Sequence, residues 1–179
     1  MARHVCCSLL PLALAAALTA CGGGSAPDNA ETSAIPLAEQ IKALEDSGQL
    51  HRLDRSRDLR GPDADDNGIR DDIDAWIAAQ PITDPQKKAA QQMARVQQAK
   101  LLANLTDAEA LQVLGERSMA GVKCLRLSFM PDYQKGYDMG SQLEAMMANT
   151  RARARQYLAY NRSVSGSSGR LPEGDTCEP

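Results

Sequence analysis

Residues 84–105 read DPQKKAAQQMARVQQAKLLANL. Ala, Gln, Lys, Leu and Met dominate the stretch, and all are strong helix formers. It opens on Asp84-Pro85, a cap followed by proline at the first helical position. A long helix is predicted from there to about Leu105. Downstream, Thr106-Asp107-Ala108-Glu109 fits a capping box. The helix it starts carries Leu111, Leu114, Val122 and Leu125 and ends near Ser128. Met130-Pro131 and Gly136 mark a connection. A final long helix is expected from about Gly140 to Tyr160, with Leu143, Met146, Met147, Tyr157 and Leu158 facing inward. Upstream, Ile73, Trp76 and Ile77 place a short helix over Asp71–Ala79, stopped before Pro81. Leu37, Ile41 and Leu44 form one apolar face over Pro36–Ser47, ended by Gly48. Residues 49–62 are irregular, with Gly61-Pro62 a clear break. No segment alternates as a strand, so the expected fold is all-α: a small bundle of about four to five helices around one acidic loop.

Composition agrees with this class. The chain has 179 residues and is 43% hydrophobic, enough for one domain with its own core, and its ordinary 24% of charged residues argues against wholesale disorder. Aromatics make up only 3%, which argues against a large β-sandwich. The net charge of −3 disfavours a nucleic-acid binder, which needs excess Lys and Arg to replace phosphate counterions.

The N-terminus reads as an export signal. Arg3 and His4 give a short basic start, and Val5–Ala20 is apolar except for Ser8 and Thr19. This is shorter than the ~20 residues a spanning helix needs. It ends Leu18-Thr19-Ala20-Cys21 and so resembles the lipobox of bacterial lipoproteins. The resemblance implies removal of residues 1–20, acylation of Cys21, and attachment to the membrane through the N-terminal lipid. Gly22 follows the lipidated position rather than Asp, which implies the outer membrane, facing the periplasm. Residues 21–35, with Gly22-Gly23-Gly24-Ser25, are a flexible tether, and 36–179 form the helical domain. Removal of 1–20 takes Arg3 from the 20 basic residues and none of the 23 acidic ones, leaving 19 against 23.

The strongest chemical signal is Asp63-Ala64-Asp65-Asp66-Asn67-Gly68-Ile69-Arg70-Asp71-Asp72-Ile73-Asp74. A twelve-residue calcium loop needs oxygens at positions 1, 3, 5, 9 and 12, a backbone carbonyl at 7 and glycine at 6 for the sharp turn. These are Asp63, Asp65, Asn67, Asp71 and Asp74, the Ile69 carbonyl, and Gly68. Alternate side chains turn toward one centre, and a hard dication takes six to eight oxygens. The stretch resembles the EF-hand loop, and more closely its dockerin and thrombospondin type 3 variants. It departs from the EF-hand in having Asp74 rather than Glu at position 12 and Arg70 at position 8, where Ile69 can take over the packing. No entering helix precedes it. The alternative is a turn followed by an acid-rich helix start, where Asp residues suit both the turn and the helix dipole. That alternative leaves six acids in twelve residues repelling one another.

An exported protein meets an oxidising compartment, so Cys124 and Cys177 are expected to pair, the alternative being two free thiols. Catalytic signatures are absent: there is no G-x-S-x-G, P-loop, H-E-x-x-H or G-x-G-x-x-G. His51 reads as an exposed loop residue. Arg151, Arg153 and Arg155 read as a solvated face of the last helix that complements its dipole, with anionic headgroups as the other use. The methionine pairs read as core. The expected function is a lipid-anchored, calcium-binding structural or interaction module of the envelope, with an envelope protein or glycan as partner. The alternative is a cell-wall enzyme acting on glycans with a calcium-stabilised fold. Its carboxylate pair would come from Glu39, Glu45, Glu109, Glu116 and Glu144.

Overall fold

Six helices appear in the computed structural model, which describes residues 35–179. The signal segment, Cys21 and the tether through residue 34 lie outside the described residues. The helices are α1 (Leu37–Asp46), α2 (Asp71–Ala79), α3 (Asp84–Leu102), α4 (Ala108–Ser128), α5 (Tyr133–Met147) and α6 (Arg151–Ser163), with no strand among the described residues. Leu37–Pro179 form one contiguous unit. None of the described helices is long and apolar enough to cross a membrane.

The central element is α3, which packs against α2, α4, α5 and α6. Its small residues Ala89, Ala90 and Ala94 let those neighbours approach, and Met93, Val96 and Leu101 fill the space between. Glutamines of this helix are also inside. Gln92, Gln97 and Gln98 are each at least 95% buried. Burying an amide is tolerable when it is hydrogen-bonded, and two of these bind backbone. Gln98 Nε2 donates to the Arg60 carbonyl at 2.9 Å. Gln92 Nε2 donates to the Thr176 carbonyl at 2.8 Å, and its Oε1 accepts from the Glu178 N–H at 3.1 Å. A glutamine-rich helix thereby holds the connections around it.

Helix starts sit one residue away from the sequence reading at two places. Thr83, not Asp84, caps α3: the Thr83 N–H donates to Gln86 Oε1 at 3.0 Å, completing a capping box with Pro85 just inside. At α4 the cap is Asp107, whose Oδ1 accepts from the Ala110 N–H at 2.9 Å. Thr106 instead turns its hydroxyl to Asn104. The expected capping box over Thr106–Glu109 is replaced by this single-residue cap.

The expected final helix over Gly140–Tyr160 is two helices, so the described residues hold six rather than four to five. The break falls at Ala148–Thr150, where Thr150 Oγ1 accepts from the Arg153 N–H at 3.2 Å and starts a new helix. Leu143 and Met147 stay in the core on α5, but the break reorients the residues beyond it. Leu158, expected inside, is 54% exposed, and Arg153 and Tyr160 are the buried residues of α6. Gly136 also differs from its reading as a connection. It lies within α5, where an added Cβ would stand 3.0 Å from the Leu125 carbonyl oxygen. The glycine is there because α4 and α5 nearly touch.

At the periphery, α1 forms as expected but buries no residue, and Leu37 is 70% exposed. Ion pairs Arg52–Asp46 and Arg55–Glu45 tie it to the irregular segment after it. At the other end the tail is fixed covalently. Cys124 on α4 and Cys177 are joined, with Cα atoms 4.9 Å apart. Closing a loop of this length stabilises by roughly 4 kcal/mol on chain-entropy grounds.

Candidate metal centre

The acidic loop leaves an irregular segment and enters α2. Its exit is pinned by Ile69, Ile73 and Ile77, four residues apart and all fully buried. Burying each such side chain contributes about 1.5–3 kcal/mol. Ile69 thus supplies the packing that an apolar position 8 would give. The loop closes on itself through the Asp71 N–H, which donates to the Pro62 carbonyl at 2.9 Å, and the Ala64 N–H, which donates to Asp71 Oδ1 at 2.8 Å.

Inside this ring Asp63 organises the turn. Its Oδ1 accepts from the Asn67 N–H at 3.0 Å and its Oδ2 from the Gly68 N–H at 3.1 Å. Gly68 has φ +80, the left-handed conformation that glycine adopts freely. Asn67 Oδ1 accepts from the Ile69 N–H, while Asn67 Nδ2 donates to Asp65 Oδ2 at 2.9 Å and Asp74 Oδ2 at 3.2 Å.

Of the expected ligands, Asp63, Asp65 and Asp71 come together. Each offers a carboxylate oxygen, and these oxygens lie within 4.8 Å of one another. Three hard oxygens at that spacing could hold a metal ion. Asp74 is outside this trio. Its Oδ1 accepts from Gln91 Nε2 on α3 at 2.8 Å, and Asn67 links its Oδ2 to Asp65.

The bases near the loop are engaged elsewhere. Arg70, the only base within it, is fully buried and turned to Asp72, with Nε 2.5 Å from Oδ1 and Nη2 3.0 Å from Oδ2. Nη2 also donates to the Met146 carbonyl at 3.1 Å. Asp72 accepts from the Asp54 N–H at 2.6 Å as well, so it belongs to the scaffold. Arg95 passes beside Gly68, where an added Cβ would lie 3.6 Å from its Cγ, but its guanidinium pairs with Glu178. Among the described residues no base forms an ion pair with Asp63, Asp65 or Asp71.

Two residues have roles that sequence patterning does not give them. His51 is half-buried, and its Nε2 donates to the Asp72 carbonyl at 2.6 Å. Arg153, read as part of a solvated face, is fully buried and clamps the segment before the loop. Gly61 makes room for both arginines: an added Cβ would stand 2.5 Å from Arg70 Cδ and 2.9 Å from Arg153 Nη2. Gly61 carries φ +70, and its reading as a break is the only sequence signal of this crowded junction.

The glutamates weighed as a glycan-active pair lie on three helices, Glu39 and Glu45 on α1, Glu109 and Glu116 on α4, and Glu144 on α5. Glu45 pairs with Arg55, and Glu116 accepts from Gln112. Glu144 faces Tyr157, whose hydroxyl is pushed up to about 12 by burial and by that carboxylate. Burial lowers the nearby Lys100 ammonium, against the opposing pull of Glu144. No family model matches the chain, and neither a curated protein nor a solved structure does.

Proposed function

We propose that this chain is a lipid-anchored protein of the bacterial envelope whose loop 63–74 binds calcium, with a structural or interaction role. The observation that carries the reading is the trio Asp63, Asp65 and Asp71, whose oxygens crowd within 4.8 Å while Arg70 and Arg95 are paired elsewhere. A divalent cation would relieve that repulsion, and its hard-oxygen surroundings favour calcium over thiophilic metals. To complete the shell with the Ile69 carbonyl, the Asn67 and Asp74 oxygens would have to exchange their present partners, the Ile69 N–H and Gln91, for the ion. Bound calcium would fix the junction between the irregular segment and α2, a structural task. The lipid at Cys21 and the tether would hold this domain at the periplasmic face of the outer membrane.

Thermal unfolding of the disulfide-intact exported protein tests the metal reading. With ~1 mM calcium and a Kd of ~0.1 mM, linkage gives about 1.4 kcal/mol of stabilisation. A chain of this size would then melt roughly 3–6 °C higher than in chelator. Asp63→Ala with Asp65→Ala removes the shift. Coincident melting curves in calcium and chelator, after metal stripping, reject the calcium site. The anchor is tested separately: Cys21→Ser should move the protein from the membrane to the soluble fraction, and unchanged fractionation rejects it.

A further inference from the structure

A cavity of about 330 Å³ lies on the far part of α4, between that helix, α5 and the C-terminal tail. Its walls include Val122 and Leu127 from α4 and Leu171 from the tail, with the Tyr137 ring from α5 at the side. Leu127, Tyr137 and Leu171 are each more than 40% exposed, so three large apolar side chains converge on one opening. Two bases, Lys123 and Arg126, share it, and no carboxylate lines it.

The two bases differ in what they hold. Lys123 Nζ donates to the Pro172 carbonyl at 2.8 Å and the Gly174 carbonyl at 2.6 Å, fixing the tail as one wall. The Arg126 side chain makes no hydrogen bond among the described residues. Its Nε is shielded from solvent and has no partner, and its guanidinium stands 5.9 Å from the Tyr133 ring centroid. Neither base forms an ion pair, and Asp175 on the tail turns back to the Cys177 N–H. A positive, unpaired planar fork thus borders an apolar slot.

The geometry points to a binding site for a single-chain alkyl carboxylate, with the chain between Val122, Leu127 and Leu171 and the carboxylate on Arg126. A guanidinium takes a carboxylate through two parallel hydrogen bonds. The volume sits at the small end of ligand cavities, about 300–1,000 Å³, which suits one chain and not a two-chain lipid. The site is independent of the metal loop and does not rest on it.

Dodecanoate, added below its aggregation concentration to the disulfide-intact full chain, should bind saturably at one site by titration calorimetry. Arg126→Gln should weaken it about tenfold or more, as should its replacement by the neutral dodecanol. Leu127→Ser, at an exposed wall position, should weaken both ligands alike while leaving the melting temperature unchanged. Absence of saturable binding overturns the proposal. So does dodecanoate binding that Arg126→Gln leaves unchanged or that dodecanol equals. Adsorption to phosphatidylglycerol vesicles without binding of the free carboxylate would assign the surface to a membrane and overturn it too.

Discussion

Arg153 Nη2 lies 2.5 Å from Asp54 Oδ2, joining the first turn of α6 to an irregular segment 99 positions earlier. The remaining donors are also used. Nη1 donates to the Asp54 carbonyl and to Asn149 Oδ1, Nε to the Leu59 carbonyl, and Nη2 to the Asp58 carbonyl. Five hydrogen bonds match the five N–H donors of a guanidinium. A fully buried cation is costly unless it is paired and hydrogen-bonded, and Arg153 is both, whereas the buried Arg70 leaves its Nη1 without a partner. The segment from Asp54 to Leu59 has no secondary structure of its own, and Arg153, with Asn149 and Asp72, holds it in place ahead of the acidic loop.

Arg153→Met should destabilise the protein by about 3–5 kcal/mol, because it leaves the Asp58 and Leu59 carbonyls without their donor and the Asp54 carboxylate without its counter-charge. Arg153→Lys should recover little, since an ammonium cannot reach the same set of acceptors. Urea unfolding followed by circular dichroism measures both. A loss below ~1 kcal/mol for the methionine variant would contradict the clamp.

The same pair makes stability depend on acid. Burial works against the charge on Asp54, but hydrogen bonds from Arg153 and Ser56 outweigh it and hold the carboxyl below its ordinary value of 3.8. The unfolded chain therefore takes up this proton first as pH falls. The stabilisation is present above the unfolded value and shrinks as pH drops below 3.8 toward the folded one. Wild type should exceed Asp54→Asn in unfolding free energy at pH 7, and the gap should narrow by pH 3. A gap that stays constant or widens on acidification would exclude Asp54 as the titrating partner.

Gly48 and Gly61 offer a paired test. Both have positive φ, +73 and +70, but an added Cβ meets nothing within 4 Å at Gly48. At Gly61 it would collide with Arg70 Cδ at 2.5 Å and approach Asp54 Oδ2 to 2.9 Å. Gly48→Ala should cost about 1 kcal/mol, from left-handed backbone alone. Gly61→Ala should cost at least ~2 kcal/mol more, through the displaced arginines. Equal losses in chemical denaturation would mean the Arg70–Arg153 junction gives way freely.

Much of the helical pattern is legible in the sequence because its causes are short-range. The Ile73–Ile77 spacing and the Pro85 start are visible within a few residues. The break at Thr150 is equally local, a cap residue inside an otherwise helical run, but Tyr157 and Leu158 follow Met146 and Met147 by eleven residues, in helical phase, and hide it. Three of the carboxylates expected to meet do meet, since Gly68 and the Asp63 hydrogen bonds form the turn within the loop itself. Asp74 stands apart from them because Gln91, its partner, comes from another helix.

The sequence by itself determined the all-helical class, the position of the acidic loop and the turn that draws Asp63, Asp65 and Asp71 together. Each depends on neighbours a few residues apart. Only the tertiary structure decided that Arg70, Arg153, Gln92, Gln97 and Gln98 lie inside. Taken alone, each of these side chains favours water. The burial of Arg70, Arg153, Gln92 and Gln98 is decided by acceptors such as the Met146, Asp54, Thr176 and Arg60 carbonyls, which reach them only once the chain has folded.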